Sequence, residues 1–235
     1  MGFLIAGHET TSTTICWGLK FLTDCSEKQS KLRDALRKAF AVAYQEKRQP
    51  TADEITETSV PYLDACIEEV NRKSTTAPVI VREAAVDAPV LGHMIPKGTD
   101  VFMLNHGGEC VAPPANVNIP EGVRSESSRS TASSSKKVGS WDPSDVREFK
   151  PERWLVQEDG KELFNPLAGP QLVFGAGPRG CFGRKLAYLE LRMVLVLLFW
   201  NFEFQSVPAQ LSSYTRITKG TDQPLETYVR LKASC

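Results

Sequence analysis

Histidine is scarce in this chain, with three in 235 residues, and no two of its six cysteines form a C-x-x-C pair. Structural zinc sites need clustered ligands at short spacing, so none is expected. Cys16, Cys25, Cys66, Cys110, Cys181 and Cys235 are scattered, which does not read as a disulfide framework. Most are expected to be reduced and buried or incidental. An excess of one charge is missing too: 28 basic and 28 acidic residues cancel, leaving no electrostatic footprint for nucleic acid. Long apolar runs are also missing. The most apolar stretch, Met193–Trp200, falls far short of the ~20 residues that cross a bilayer and reads as a buried core helix. Met1 leads directly into Gly-Phe-Leu-Ile-Ala-Gly without a basic segment, so no secretory leader is expected.

What is present divides into a helical first third and a mixed remainder. Residues 3–23 read as an apolar helix interrupted by the polar run His8-Glu-Thr-Thr-Ser12. Ser26 and Gln29 have the spacing of a capping box, followed by Leu32, Leu36 and Phe40 at amphipathic intervals. Thr51 and Glu54 form a second such box, and Pro61 suits the first turn of a helix running to about Lys73. Val79–Val86 and Val101–Leu104 are strand-like, with a turn at 95–99. Residues 113–140 read as a loop; half of residues 125–140 are serine, so a flexible surface insertion is expected at 121–140. Residues 141–170 read as an irregular packed meander. A long helix is expected from Cys181 to Phe202, then short strands.

The densest chemistry lies in Phe174-Gly-Ala-Gly-Pro-Arg-Gly-Cys-Phe-Gly183. Glycines let backbone approach a flat ligand closely. A cysteine at a helix start gains from the positive end of the helix dipole, which favours the thiolate that binds metal. Arg179 is placed to pair with an acidic group on such a ligand. Two other readings stand beside this one. Gly175–Gly180 also matches the G-x-G-x-x-G of dinucleotide sites, with Glu203 as the ribose-binding acid, although Pro178 and Arg179 occupy positions where free N–H groups would be needed. A plain glycine turn is the third.

Phe174-x-x-Gly177-x-Arg179-x-Cys181-x-Gly183 resembles the haem-binding signature of the cytochrome P-450 family. Ala6-Gly7-His8-Glu9-Thr10-Thr11 resembles the family's distal-helix motif, Glu69-Val-Asn-Arg72 its E-x-x-R motif, and Phe149-Lys-Pro-Glu-Arg-Trp154 its meander motif. The four occur in the family's order and cover nearly the whole chain outside the serine-rich loop. Their style is similar to fungal microsomal members.

The resemblance implies a mainly α fold with a small β portion, the C-terminal part of the cytochrome P-450 fold, over residues 1–235. It implies haem b as cofactor, with Cys181 as the metal ligand. Arg179 and Arg82 would meet propionates, Phe174, Gly175 and Gly183 would also bind the cofactor, and Phe174 would shield the sulfur from water. Ala6 and Gly7 would leave room for dioxygen, while Glu9 and Thr10 would pass protons to it. His8 is expected to face away from the iron and Cys16 to serve packing. Glu69, Arg72 and Arg153 would form a buried triad locking the meander; read from spacing alone, Glu69 and Arg72 could equally be an exposed ion pair. A solvated strand arginine is the plain alternative at Arg82.

The implied activity is a monooxygenase that inserts one oxygen atom of dioxygen into a small apolar organic substrate, with fungal secondary metabolism as the setting expected by analogy. Its electrons would come from an NADPH-dependent cytochrome P-450 reductase. The implied location is the cytosolic face of the endoplasmic reticulum membrane, held by an N-terminal anchor outside these residues. The alternative is a truncated, non-catalytic remnant that binds haem weakly or not at all. Asn71 favours the second reading, because the family places an apolar residue there. A buried, unpaired amide costs ~1–3 kcal/mol.

Overall fold

The computed structural model describes residues 2–90, 92–105, 120–126, 129–130 and 138–234. Cys110, Cys235 and most of the serine-rich segment lie outside them. Six α-helices are described: α1 (Gly2–Asp24), α2 (Ser26–Ala39), α3 (Ala41–Gln45), α4 (Ala52–Glu57), α5 (Pro61–Ser74) and α6 (Arg184–Asn201). The strands pair antiparallel in twos. β1 (Val79–Glu83) pairs with β4 (Asp100–Leu104), and β2 (Ala88–Val90) with β3 (His93–Ile95). β5 (Leu155–Glu158) pairs with β6 (Lys161–Phe164), β8 (Arg216–Thr218) with β9 (Asp222–Pro224), and β7 (Phe202–Gln205) with β10 (Arg230–Ala233).

The main core lies between α2, α5 and α6. Leu32 and Leu36 from α2 meet Leu63 and Ile67 from α5 and Leu195 and Phe199 from α6, all buried. The apolar run Met193–Trp200 is therefore a core helix segment, as its length requires. A satellite cluster of Ala65, Trp141, Val146 and Trp154 holds the irregular segment after the serine-rich stretch against α5.

The two capping boxes have different fates. At Thr51 the box is real: its hydroxyl accepts from Glu54 N–H, and the Glu54 carboxylate accepts from Thr51 N–H. At Ser26 it is not. Cys25 precedes the helix, no side chain caps it, and Gln29 is buried. Gln29 Nε2 donates to the carbonyls of Leu22 and Phe204, and its Oε1 accepts from Phe204 N–H at 2.9 Å. Burial gave the amide better partners than a solvent-exposed cap would.

Three further boundaries differ from expectation. α2 stops at Phe40, whose φ of −105° and ψ of 45° leave the helical region, so the amphipathic run continues as the separate α3. The strand expected at 79–86 ends at Glu83. Within the segment read as an irregular loop, Glu121–Val123 forms a 3₁₀ turn, and Arg129 N–H donates to Ser125 O.

Candidate active site

α1, α5, α6, β1 and the glycine loop enclose a cavity of about 400 Å³. α1 contributes Ala6, Thr10 and Thr14, spaced by four and therefore on one helical face. β1 contributes Ile80, Val81 and Arg82, and α6 contributes Ala187 and Leu191. The loop contributes Phe174, Gly175, Arg179 and Cys181. Residues separated by about 170 positions in sequence thus face one space.

The glycine loop is built by its backbone. Gly175 and Gly177 have φ of 65° and 67°, which disfavours any other residue. A Cβ on Gly180 would stand 3.2 Å from the Gly177 carbonyl oxygen. Cys181 N–H closes the loop by donating to Phe174 O at 2.7 Å. Gly183, not Cys181, is the N-cap of α6, so the cysteine precedes the helix instead of opening it. The reason is that closing bond: it fixes the Cys181 amide in the loop. The dipole contribution expected from sequence is correspondingly weaker, since it falls off within the first turn.

Arg82 Nη1 donates to Val81 O, and its Nη2 lies 3.5 Å from Arg179 O, so the two residues adjoin in the cavity wall. Thr10 Oγ1 donates to Ala6 O at 2.5 Å, so its proton is engaged by the turn beneath it. Glu9 is not part of the lining; its carboxylate accepts from the Thr221 hydroxyl at 3.1 Å. Its helical position, one residue before Thr10, turns it toward the β8–β9 hairpin. Gly7, His8 and Gly183 also lie outside the lining; a Cβ on Gly7 would meet nothing within 4 Å.

The E-x-x-R residues are buried, which excludes the exposed-pair alternative. Arg72 Nε and Nη2 bind the two Glu69 oxygens at 2.8 and 2.7 Å, with both side chains 0% exposed. Arg153 Nε reaches Glu69 Oε1 at 3.2 Å, and Lys150 N–H and Trp154 Nε1 donate to the same carboxylate. Arg72 also donates to the carbonyls of Val146 and Glu148. Asn71, between them, is 3% exposed, lines the cavity, and has no partner for Nδ2.

The dinucleotide reading fails on geometry. Glu203 lies in β7, in an antiparallel pair with β10, and no strand immediately precedes the glycine loop. The sequence matches the Cytochrome P450 family over residues 1–107 and 140–221. The chain belongs to the cytochrome P450 family.

It is 43% identical to the cytochrome P450 monooxygenase TRI13 of Fusarium sporotrichioides, covering 98% of this chain and 41% of that protein. It is also 43% identical to the cytochrome P450 monooxygenase GME11363 of Pestalotiopsis microspora, covering 99% and 40%. The Hps1-dma1 cluster cytochrome P450 monooxygenase cyp3.1 of Dothistroma septosporum is 36% identical, with 98% and 76% covered. The chain thus spans about two fifths of the first two relatives. The crystal structure of a cytochrome P450, CYP102L1, superposes with a TM-score of 0.70 at 24% identity, over 99% of this chain and 44% of that one. The fold is the partial P450 fold that the four motifs implied.

The family implies haem, and the lining fits it. A thiol, a glycine backbone able to lie against a flat ring, and two guanidinium groups for two carboxylates share one cavity with small and apolar side chains. Sequence reasoning passed over Glu68. This buried carboxylate accepts from Tyr188 Oη and Gln171 Nε2, on either side of the ligand loop, and burial raises its pKa above the ordinary glutamate value. Its neighbour Glu69 carried the motif, and nothing local in the sequence marks Glu68 apart.

Proposed function

We propose that this chain is the haem-holding part of a monooxygenase that inserts one oxygen atom of dioxygen into a small apolar organic substrate. The observation that carries the reading is the placement of Cys181, Arg82 and Arg179 around the same cavity as Ala6 and Thr10. Haem, when bound, supplies dioxygen binding and electron transfer through its iron. Cys181 would hold it from the loop side, with Arg82 and Arg179 pairing its carboxylates. Gly175 gives the backbone close approach. On α1, Ala6 keeps the opposite wall small, and Thr10 holds a proton at Oγ1 near it. Glu9 is one residue away, but its carboxylate accepts from Thr221 and lies outside the cavity lining.

The electrons are assigned to an NADPH-dependent cytochrome P450 reductase, and the location to the cytosolic face of the endoplasmic reticulum membrane. Among the described residues no helix is long and apolar enough to cross a membrane. The role is assigned to fungal secondary metabolism, with fungal relatives, one of them named for a cluster, as its support.

Haem titration of the chain, followed by reduction under carbon monoxide, tests the reading. The expected result is the thiolate-type absorption band, lost in Cys181→Ala. An unchanged band in that variant rejects Cys181 as ligand. The competing reading, a remnant that binds haem weakly or not at all, is favoured by the unpartnered Asn71 amide. It requires that the wild-type chain give no such band.

A further inference from the structure

α5 carries two adjacent glutamates, and consecutive helical residues point about 100° apart. Glu69 faces the meander, where it binds Arg72, Arg153, Lys150 N–H and Trp154. Glu68 faces a different side of the helix. It is 6% exposed, and each of its carboxylate oxygens accepts one side-chain hydrogen bond. Oε1 accepts from Tyr188, in the second turn of α6, and Oε2 from Gln171, three residues before Phe174. Gln171 Nε2 also lies 3.3 Å from the Glu68 carbonyl. The two donors stand at the two ends of the segment that contains Cys181.

From Tyr188 the contact chain runs directly to the cysteine. The Tyr188 and Phe174 ring centroids lie 5.2 Å apart at 34°, and the Arg184 guanidinium stands 5.7 Å from the Phe174 centroid and 5.5 Å from that of Tyr188. Phe174 O accepts the Cys181 N–H bond that closes the loop. The loop also contains two backbone turns, Gly175 N–H to Leu172 O and Gly180 N–H to Gly177 O, and its Cys181 and Arg179 carbonyls accept from Arg184 N–H and Arg82 Nη2 at 3.4 and 3.5 Å. Gly177 through Cys181 are solvent-exposed, so the loop has little packing of its own to hold it.

We infer that Glu68 is a positioning residue for the Cys181 loop. It clamps both flanks, Gln171 and Tyr188, to α5 and so holds Phe174 and the Cys181 amide in register. Glu69 and Glu68 then make α5 a splint between two segments: the first fixes the meander, the second the ligand loop. This inference rests on the reading of Cys181 as the haem ligand for its consequence, but the clamp itself is measurable without haem.

The test is amide hydrogen exchange on the chain, comparing wild type with Tyr188→Phe and Glu68→Ala. Both variants are expected to speed exchange at the Cys181 amide about ten-fold, the scale of one hydrogen bond to a charged group. Exchange at Leu32 and Leu36 in α2 is expected to stay unchanged, which separates loop release from general destabilisation. Glu68→Gln, which keeps an acceptor oxygen, is expected to restore part of the protection. Tyr188→Phe removes only one hydroxyl and serves should Glu68→Ala not fold. After haem loading and reduction under carbon monoxide, the same two variants are expected to lose thiolate-type absorption in favour of the thiol type. Cys181 exchange at the wild-type rate in Tyr188→Phe overturns the clamp. A wild-type chain lacking the thiolate band overturns the haem reading instead, and leaves the exchange result to decide the clamp.

Discussion

Arg72 holds Glu69 in a two-point ion pair, at 2.7 and 2.8 Å, inside a protein interior that exposes neither side chain. Removing one partner leaves the other charge buried and uncompensated, which costs ~3–5 kcal/mol. Glu69→Ala leaves the Arg72 guanidinium without its carboxylate and the Trp154 indole N–H without its acceptor, while Arg153 keeps only Asp145. It is expected to abolish cooperative thermal unfolding. Arg72→Lys is expected to fail nearly as badly, because a single ammonium cannot reproduce the fork that also reaches Val146 O and Glu148 O. Circular dichroism melting curves of both variants check this.

Gln29 joins α2 to β7. Gln29→Leu keeps the volume but leaves the Phe204 N–H and carbonyl without these partners. Unsatisfied buried groups cost ~1–3 kcal/mol each. Urea unfolding is expected to show a lower midpoint with an unchanged slope. Faster amide exchange confined to Phe204 and its β10 partner Leu231 identifies the lost contact.

Asn71→Leu is expected to act in the opposite direction. The wild-type amide is buried and its Nδ2 has no partner. An apolar residue of similar size removes that penalty of ~1–3 kcal/mol. The melting temperature is expected to rise, by ~2–4 °C for each kcal/mol recovered in a domain of this size. Differential scanning calorimetry reads the shift; a lower melting temperature contradicts it.

Asp145 links acid stability to the meander. Hydrogen bonds from Lys150 and from Arg153 hold its pKa below the ordinary value. A depressed carboxylate stabilises the folded state above its unfolded pKa, and that contribution disappears as the pH falls through the folded value. Stability is therefore expected to fall as the pH drops below 3.8, the ordinary value for aspartate. Asp145→Asn is expected to flatten that limb. Urea midpoints measured across this range distinguish the two curves.

Much of the site was readable because its information is local. The Phe174–Gly183 loop needs positive φ at Gly175 and Gly177, and only glycine supplies it cheaply. The Thr51–Glu54 box closes within three residues, and Glu69 and Arg72 share a helical face by spacing alone. The motif order further placed these pieces in one family fold.

Tertiary packing decided what such spacing leaves free. Gln29 had the position of a cap partner, but burial directed it to Phe204, 175 residues away. Glu9 read as a partner of Thr10, yet the β8–β9 hairpin brings Thr221 to it across 212 residues. Glu68 and Glu69 are identical in type and adjacent in sequence; only the segments packed on either side of α5 give one the meander and the other the Cys181 loop. A backbone conformation is fixed by the residue that must adopt it, so the sequence alone determined the ligand loop. A buried side chain takes whichever partner the fold brings within reach, so only the tertiary structure decided what holds that loop in place.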